Sequence, residues 1–155
     1  MTEQATIKTR LQTDLTTSMK ARDELTTSTI RMLRAAVTNA EVAGAQAIEL
    51  TDDQVIAVLQ SEAKKRSEAA EIYAQAGRED SATKERAELA VIERYLPAAM
   101  PDEELQAIVT EEVAAAAAAG ADGQRAMGQV IKAVRERVGP AADGSRIAAM
   151  VKSSL

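Results

Sequence analysis

Apolar residues recur along this chain at helical spacing, and no stretch sustains the alternation of a half-buried strand. Ile7, Leu11, Leu15 and Met19 mark a first helix, expected over 3–21. Ile30, Leu33, Val37 and Ala40 line one face of a second, 24–43, with Asp23 as its N-cap and Gly44 as a left-handed C-terminal cap. Thr51-Asp-Asp-Gln54 has the form of a capping box and opens a third helix, 52–76. Ile56, Leu59, Ala63, Ala70 and Tyr73 are its inward residues and Gly77 its stop. Leu89, Ile92, Tyr95 and Leu96 mark a fourth, 80–96. Opposite charges four apart, at Glu62–Arg66, Lys64–Glu68, Asp80–Lys84 and Lys84–Glu88, are expected on solvated faces, each worth a few tenths of a kcal/mol.

Pro97 and Pro101 bracket a short stiff link, Ala98 to Met100, and a domain boundary is expected there, giving domains 1–97 and 98–155. Beyond it the pattern predicts helices over 102–119, 123–137 and 143–154. The first carries Asp102, Glu103 and Glu104 in its opening turn, where acids suit the helix dipole. Its stripe is Leu105, Ile108, Val109 and Val113, and alanines 114–119 continue it to Gly120. Met127, Val130, Ile131 and Val134 belong to the next, and Ile147, Met150, Val151 and Leu155 to the last. The expected fold is all-α: about four helices, then a small three-helix domain.

Composition sharpens this picture. The chain has no His, Cys, Trp or Phe and only two tyrosines, Tyr73 and Tyr95. That removes thiol chemistry, most nucleophilic triads, the usual zinc ligands and any broad stacking platform. Of 155 residues 33 are alanine, so the cores must be thin and the helices close. The start, MTEQATIK, has no apolar stretch of a secretory signal, and no apolar run approaches the roughly 20 residues of a bilayer span. A cytoplasmic protein with no membrane partner is expected.

Net charge is −5, unevenly distributed. Residues 98–120 hold five acids and no base, whereas 121–155 hold six bases and three acids. Arg125, Lys132, Arg135, Arg137, Arg146 and Lys152 form the candidate anion-binding set, with Lys132, Arg135 and Arg146 expected to project together. Such cations can contact phosphates without stacking bases. Helix starts near Asp122 and Asp143 add backbone donors, opposed by their own acids. Asp52-Asp53 and Glu103-Glu104 are explained by capping and dipole roles, and no glycine-rich phosphate loop is present. Without His, a helical di-metal carboxylate site lacks its usual ligands. No metal, cofactor or catalytic residue is expected.

Several motifs in order, Ile30-Arg-Met-Leu-Arg34, Leu50 through Leu59, Ala76-Gly-Arg-Glu-Asp80, Tyr95-Leu-Pro97, Met127-Gly128 and Ala142-Asp-Gly144, resemble the YqeY family over nearly the whole chain. The resemblance implies an all-α protein similar to the C-terminal tail of GatB, a subunit of the glutamine-dependent tRNA amidotransferase. That tail helps hold tRNA, while activation and amide transfer occur elsewhere. The implied role is a non-catalytic tRNA-binding accessory module related to that carbon–nitrogen ligase system, binding weakly and with salt dependence through the six cations. Gly139-Pro140-Ala141 departs from the family's Lys-Gly-Arg-like turn and carries no charge. The alternative is a helical protein-interaction adaptor without RNA binding, using apolar grooves or the acidic 102–112 face.

Overall fold

The computed structural model describes residues 5–155. Helices α1 (Ile7–Lys20), α2 (Glu24–Glu41), α3 (Asp52–Gln75), α4 (Glu79–Glu93), α5 (Asp102–Ala118), α6 (Gly123–Val138) and α7 (Gly144–Ser154) follow in order, with a 3-10 turn at Gly139–Ala141. No strand occurs among the described residues, so the fold is all-α. Two compact units divide the chain, Met1–Leu96 and Pro97–Leu155.

Most helix ends follow from their caps. Thr51 Oγ1 accepts the Gln54 amide at 3.3 Å while Gln54 returns a carbonyl to the Thr51 amide at 2.9 Å, completing the capping box. Asp23 caps α2 through the Thr26 amide, 3.1 Å, and hydroxyl, 2.7 Å. Gly77, at φ +75°, ends α3: its amide reaches Ala74 O and the Arg78 amide reaches Tyr73 O. Contrary to the expectation from the sequence, Gly44 does not cap α2. The helix stops at Glu41, whose carbonyl accepts the Ile48 amide and whose carboxylate accepts the Leu50 amide, so Glu41 itself closes the loop. The first helix begins at Ile7 with Thr6 as cap. The expected start near residue 3 lies outside the described residues.

In the N-terminal unit Leu11, Ile30, Leu33, Leu59 and Ile92 are fully buried, each worth about 1.5–3 kcal/mol. Val55 joins them, whereas Ile56 and Tyr73 stay half-buried and Met19 is 51% exposed. Buried Ala63, Ala70 and Ala82 allow α3 and α4 to pack closely. The charged residues of that hairpin are not all decoration. Lys64–Glu68, Asp80–Lys84 and Lys84–Glu88 do not pair; Glu88 is buried and meets Arg66 Nε at 3.5 Å, and Arg66 also binds Glu62. Their side chains are only 8–15% exposed, because both Arg66 and Glu88 fall on inward stripes. Burial disfavours charged Glu62, but hydrogen bonds from Lys65 and Arg66 more than offset it and hold its carboxyl below the usual range.

Tyr95 anchors the end of α4. Its hydroxyl donates to Asp14, and the Arg10 guanidinium lies 5.2 Å above its ring while donating to Arg94 O at 3.3 Å. Burial, then the Asp14 bond and charge, push the phenol's pKa well above its free value of 10.0. A raised folded-state pKa means that the stabilisation is complete below about pH 10 and declines as pH rises toward the folded-state value. Thermal melting of wild type should therefore fall above pH 10, and Tyr95→Phe should flatten that alkaline limb; an unaltered limb in the variant would show that Tyr95 does not control it.

Candidate nucleic-acid interface

The C-terminal unit packs α5, α6 and α7 around Leu105, Val109, Val130, Val134, Ile147 and Val151. The segment 98–100 is not a free link, since Met100 packs on this core and its amide donates to Ala141 O at 2.8 Å. The uncharged Gly139-Pro140-Ala141 turn thus supplies a structural carbonyl.

Helix α6 presents its cations in three directions. Arg125 and Lys132, seven residues apart, leave from nearly the same outer line, away from the buried stripe of Ala126, Val130, Val134 and Val138. Arg137 turns toward α5 and pairs with Glu111 at 2.8 Å and Glu112 at 3.1 Å, which raise its pKa. Arg135 turns toward α7, where Gly144 leaves room for it: a Cβ on Gly144 would collide with the Arg135 guanidinium.

Arg146 does not share the open direction expected with Lys132 and Arg135. Its guanidinium binds Asp102 Oδ1 through Nη2 at 2.6 Å and Nε at 3.1 Å, and Nη2 also donates to the Met100 carbonyl. It ties α7 to the start of α5. Lys152 is exposed beside a hollow of about 440 Å³ lined by Ala121, Asp122, Met127 and Leu155. Asp143 caps α7 through the Arg146 amide at 2.8 Å, while Asp122 makes no side-chain cap bond on α6. Of the six expected cations, Arg125, Lys132, Arg135 and Lys152 are exposed without an ion-pair partner among the described residues; Arg137 and Arg146 are paired.

A family model, Yqey-like protein, matches residues 8–155. The chain belongs to the YqeY family. No curated protein matches it. The motifs that carried the resemblance map onto structural tasks in this YqeY-like chain. Ile30 and Leu33 enter the core from α2, while Arg31 and Arg34 stay exposed. The stretch Leu50–Leu59 holds the capping box and the buried Val55 and Leu59. Gly77 makes the α3–α4 turn and Tyr95 the α4 anchor. Ala142 is buried, Asp143 caps, and Gly144 admits Arg135.

Acids weighed as catalytic are engaged in or near helix starts. Asp52 accepts the Ile7 amide at 3.1 Å, joining the starts of α1 and α3, and Glu103 and Glu104 sit in the first turn of α5. Among the described residues no group of three or more Asp or Glu is placed to hold a metal ion, and no helix is long and apolar enough to cross a membrane. Sequence reasoning paired Glu62 with Arg66 but put them on a solvated face, and it missed their cluster with Glu88 and the Arg10–Tyr95–Asp14 clamp. The first had a signal: Arg66 falls between Ala63 and Ala70, and Glu88 before Val91 and Ile92, each on an apolar stripe. The second had none, because Asp14 and Tyr95 are 81 residues apart.

Proposed function

We propose that this YqeY-like chain acts in the cytoplasm as a non-catalytic accessory module that binds tRNA, its C-terminal unit touching phosphates through Arg125, Lys132, Arg135 and Lys152. One observation carries the reading: these four cations are exposed and have no ion-pair partner among the described residues, in a chain of net charge −5. The resemblance to the GatB tail supports it. Binding is weak, near the ~10⁻⁴–10⁻⁶ M of purely electrostatic association, and nearly blind to base identity, because both tyrosines precede this unit. The adaptor alternative is weakened on the acidic 102–112 face, where Asp102, Glu111 and Glu112 are already paired with Arg146 and Arg137.

The test is a salt titration of tRNA binding. Changing Arg125, Lys132 and Arg135 together to Ala should reduce the slope of log K against log[salt] by roughly two to three units. Arg146→Ala should leave the slope nearly unchanged and lower the melting temperature of the C-terminal unit, since its cation holds Asp102 and Met100. Absence of tRNA binding at low salt would favour the adaptor reading.

A further inference from the structure

Several cations of the N-terminal unit pair with carboxylates. Lys8 binds Glu41 at 2.8 Å, Arg86 reaches Glu79 at 3.6 Å, and Lys65 and Arg66 hold Glu62. Among the described residues, Lys64, Arg78 and Lys84 on the α3–α4 hairpin form no ion pair, and a larger unpaired group occurs at the end where α1 turns into α2. Lys20, Arg22, Arg31, Arg34 and Arg94 are exposed there, and none forms an ion pair among the described residues. Contacts place Arg31 and Arg94 here, and Arg34 follows Arg31 by three residues on α2, so the two are neighbours on the helix surface. Arg31 donates to Met19 Sδ at 3.8 Å, beside the last turn of α1. Arg10 donates to Arg94 O, and Asp23, whose carboxyl the hydroxyl and amide of Thr26 hold below its usual range, also feels the nearby Arg94 charge.

The acids at this end are largely engaged. Asp14 accepts the Tyr95 hydroxyl, and Asp23 is occupied by the amide and hydroxyl of Thr26. Glu24 and Glu93 are left. The α1 C-terminal dipole favours Lys20 and Arg22 by a fraction of a kcal/mol each but does not account for Arg34 or Arg94.

Arg22 adds a second argument. It sits at φ +56°, with its amide on Met19 O at 3.2 Å and the Asp23 amide on Ser18 O at 3.0 Å. The helix ends built in the same way after α3 and α5 use Gly77 and Gly120 at that position. An L side chain there is disfavoured by roughly 1 kcal/mol relative to glycine. This backbone position favours glycine, yet it carries an exposed arginine with no ion-pair partner among the described residues.

We propose that this end of the N-terminal unit is a second phosphate-contacting surface for RNA, centred on Arg22, Arg34 and Arg94. The proposal rests on the RNA reading above but concerns a different unit. An RNA backbone fits better than an acidic protein. Phosphates need only exposed cations, whereas protein docking depends on a desolvated apolar or aromatic anchor. Met19 and Met32 are the exposed large apolar residues beside these arginines, but the sulfur of each accepts from a guanidinium, Arg31 and Arg66 respectively, and Tyr95 lies buried beneath Arg10.

The experiment titrates unfractionated tRNA against the full chain over a range of salt, with three proteins: wild type, a variant carrying Arg22→Gly, Arg34→Ala and Arg94→Ala, and the Arg125/Lys132/Arg135 variant. Arg22→Gly relieves the backbone, so circular dichroism should report an intact fold. The N-terminal variant should reduce the salt slope by roughly two to three units. A slope equal to wild type, with the C-terminal variant alone affected, overturns this surface and leaves the C-terminal reading standing. The reverse pattern supports this surface and overturns the C-terminal one. No tRNA binding by wild type, or equal binding of poly-glutamate in its place, overturns both.

Discussion

Arg66→Ala should destabilise the N-terminal unit by about 3–5 kcal/mol, the largest single effect expected outside the apolar core. The guanidinium lies between Glu62 and Glu88, whose side chains are 15% and 8% exposed. Removing it leaves Glu88 confined at the α3–α4 interface with no compensating cation and Glu62 with Lys65 alone. Lys65 reaches only Glu62, at 3.0 Å. Met32, whose sulfur accepts from Arg66 at 3.6 Å, cannot neutralise either acid. Urea unfolding followed by circular dichroism would measure the loss. A companion variant with all three charged residues replaced by apolar side chains of similar volume should recover the loss, because desolvating a buried cluster offsets much of its attraction. A loss below about 1 kcal/mol in Arg66→Ala would mean that water screens the cluster as it does surface pairs.

The second large effect belongs to the C-terminal unit. Leu105 is fully buried at the meeting of α5, α6 and α7, and Leu105→Ala should cost about 2–5 kcal/mol. A unit spanning only Pro97–Leu155 buries a small core, so its total stability is of the same order. The variant should therefore lose amide-exchange protection throughout α5, α6 and α7 while α1 to α4 keep theirs. Protection lost evenly in both units would show that they unfold as one. The same variant should lose that part of tRNA binding contributed by the C-terminal cations, since Arg135 and Lys132 are positioned only by the folded α6.

For function, the sequence was informative about residue types and less so about their availability. The six cations of 121–155 were visible as a charge imbalance. Which of them remain free depends on partners remote in sequence: Glu111 and Glu112 for Arg137, Asp102 and Met100 for Arg146. The gap between Arg146 and Asp102 is 44 residues, beyond any spacing rule.

Helix identity was settled locally. The 3.6-residue recurrence of Leu, Ile and Val, the Thr51–Gln54 capping box, the Asp23 and Asp143 caps and the glycine ends at 77 and 120 act within a few residues, so they are readable in one dimension. The tertiary structure decided what local rules leave open. It placed Glu88 inside, made Glu41 rather than Gly44 close the second helix, joined Tyr95 to Asp14, and divided the cations into paired and free. Each of these depends on which helix faces which, and the energy of a charge is set by the partner and dielectric that packing brings to it.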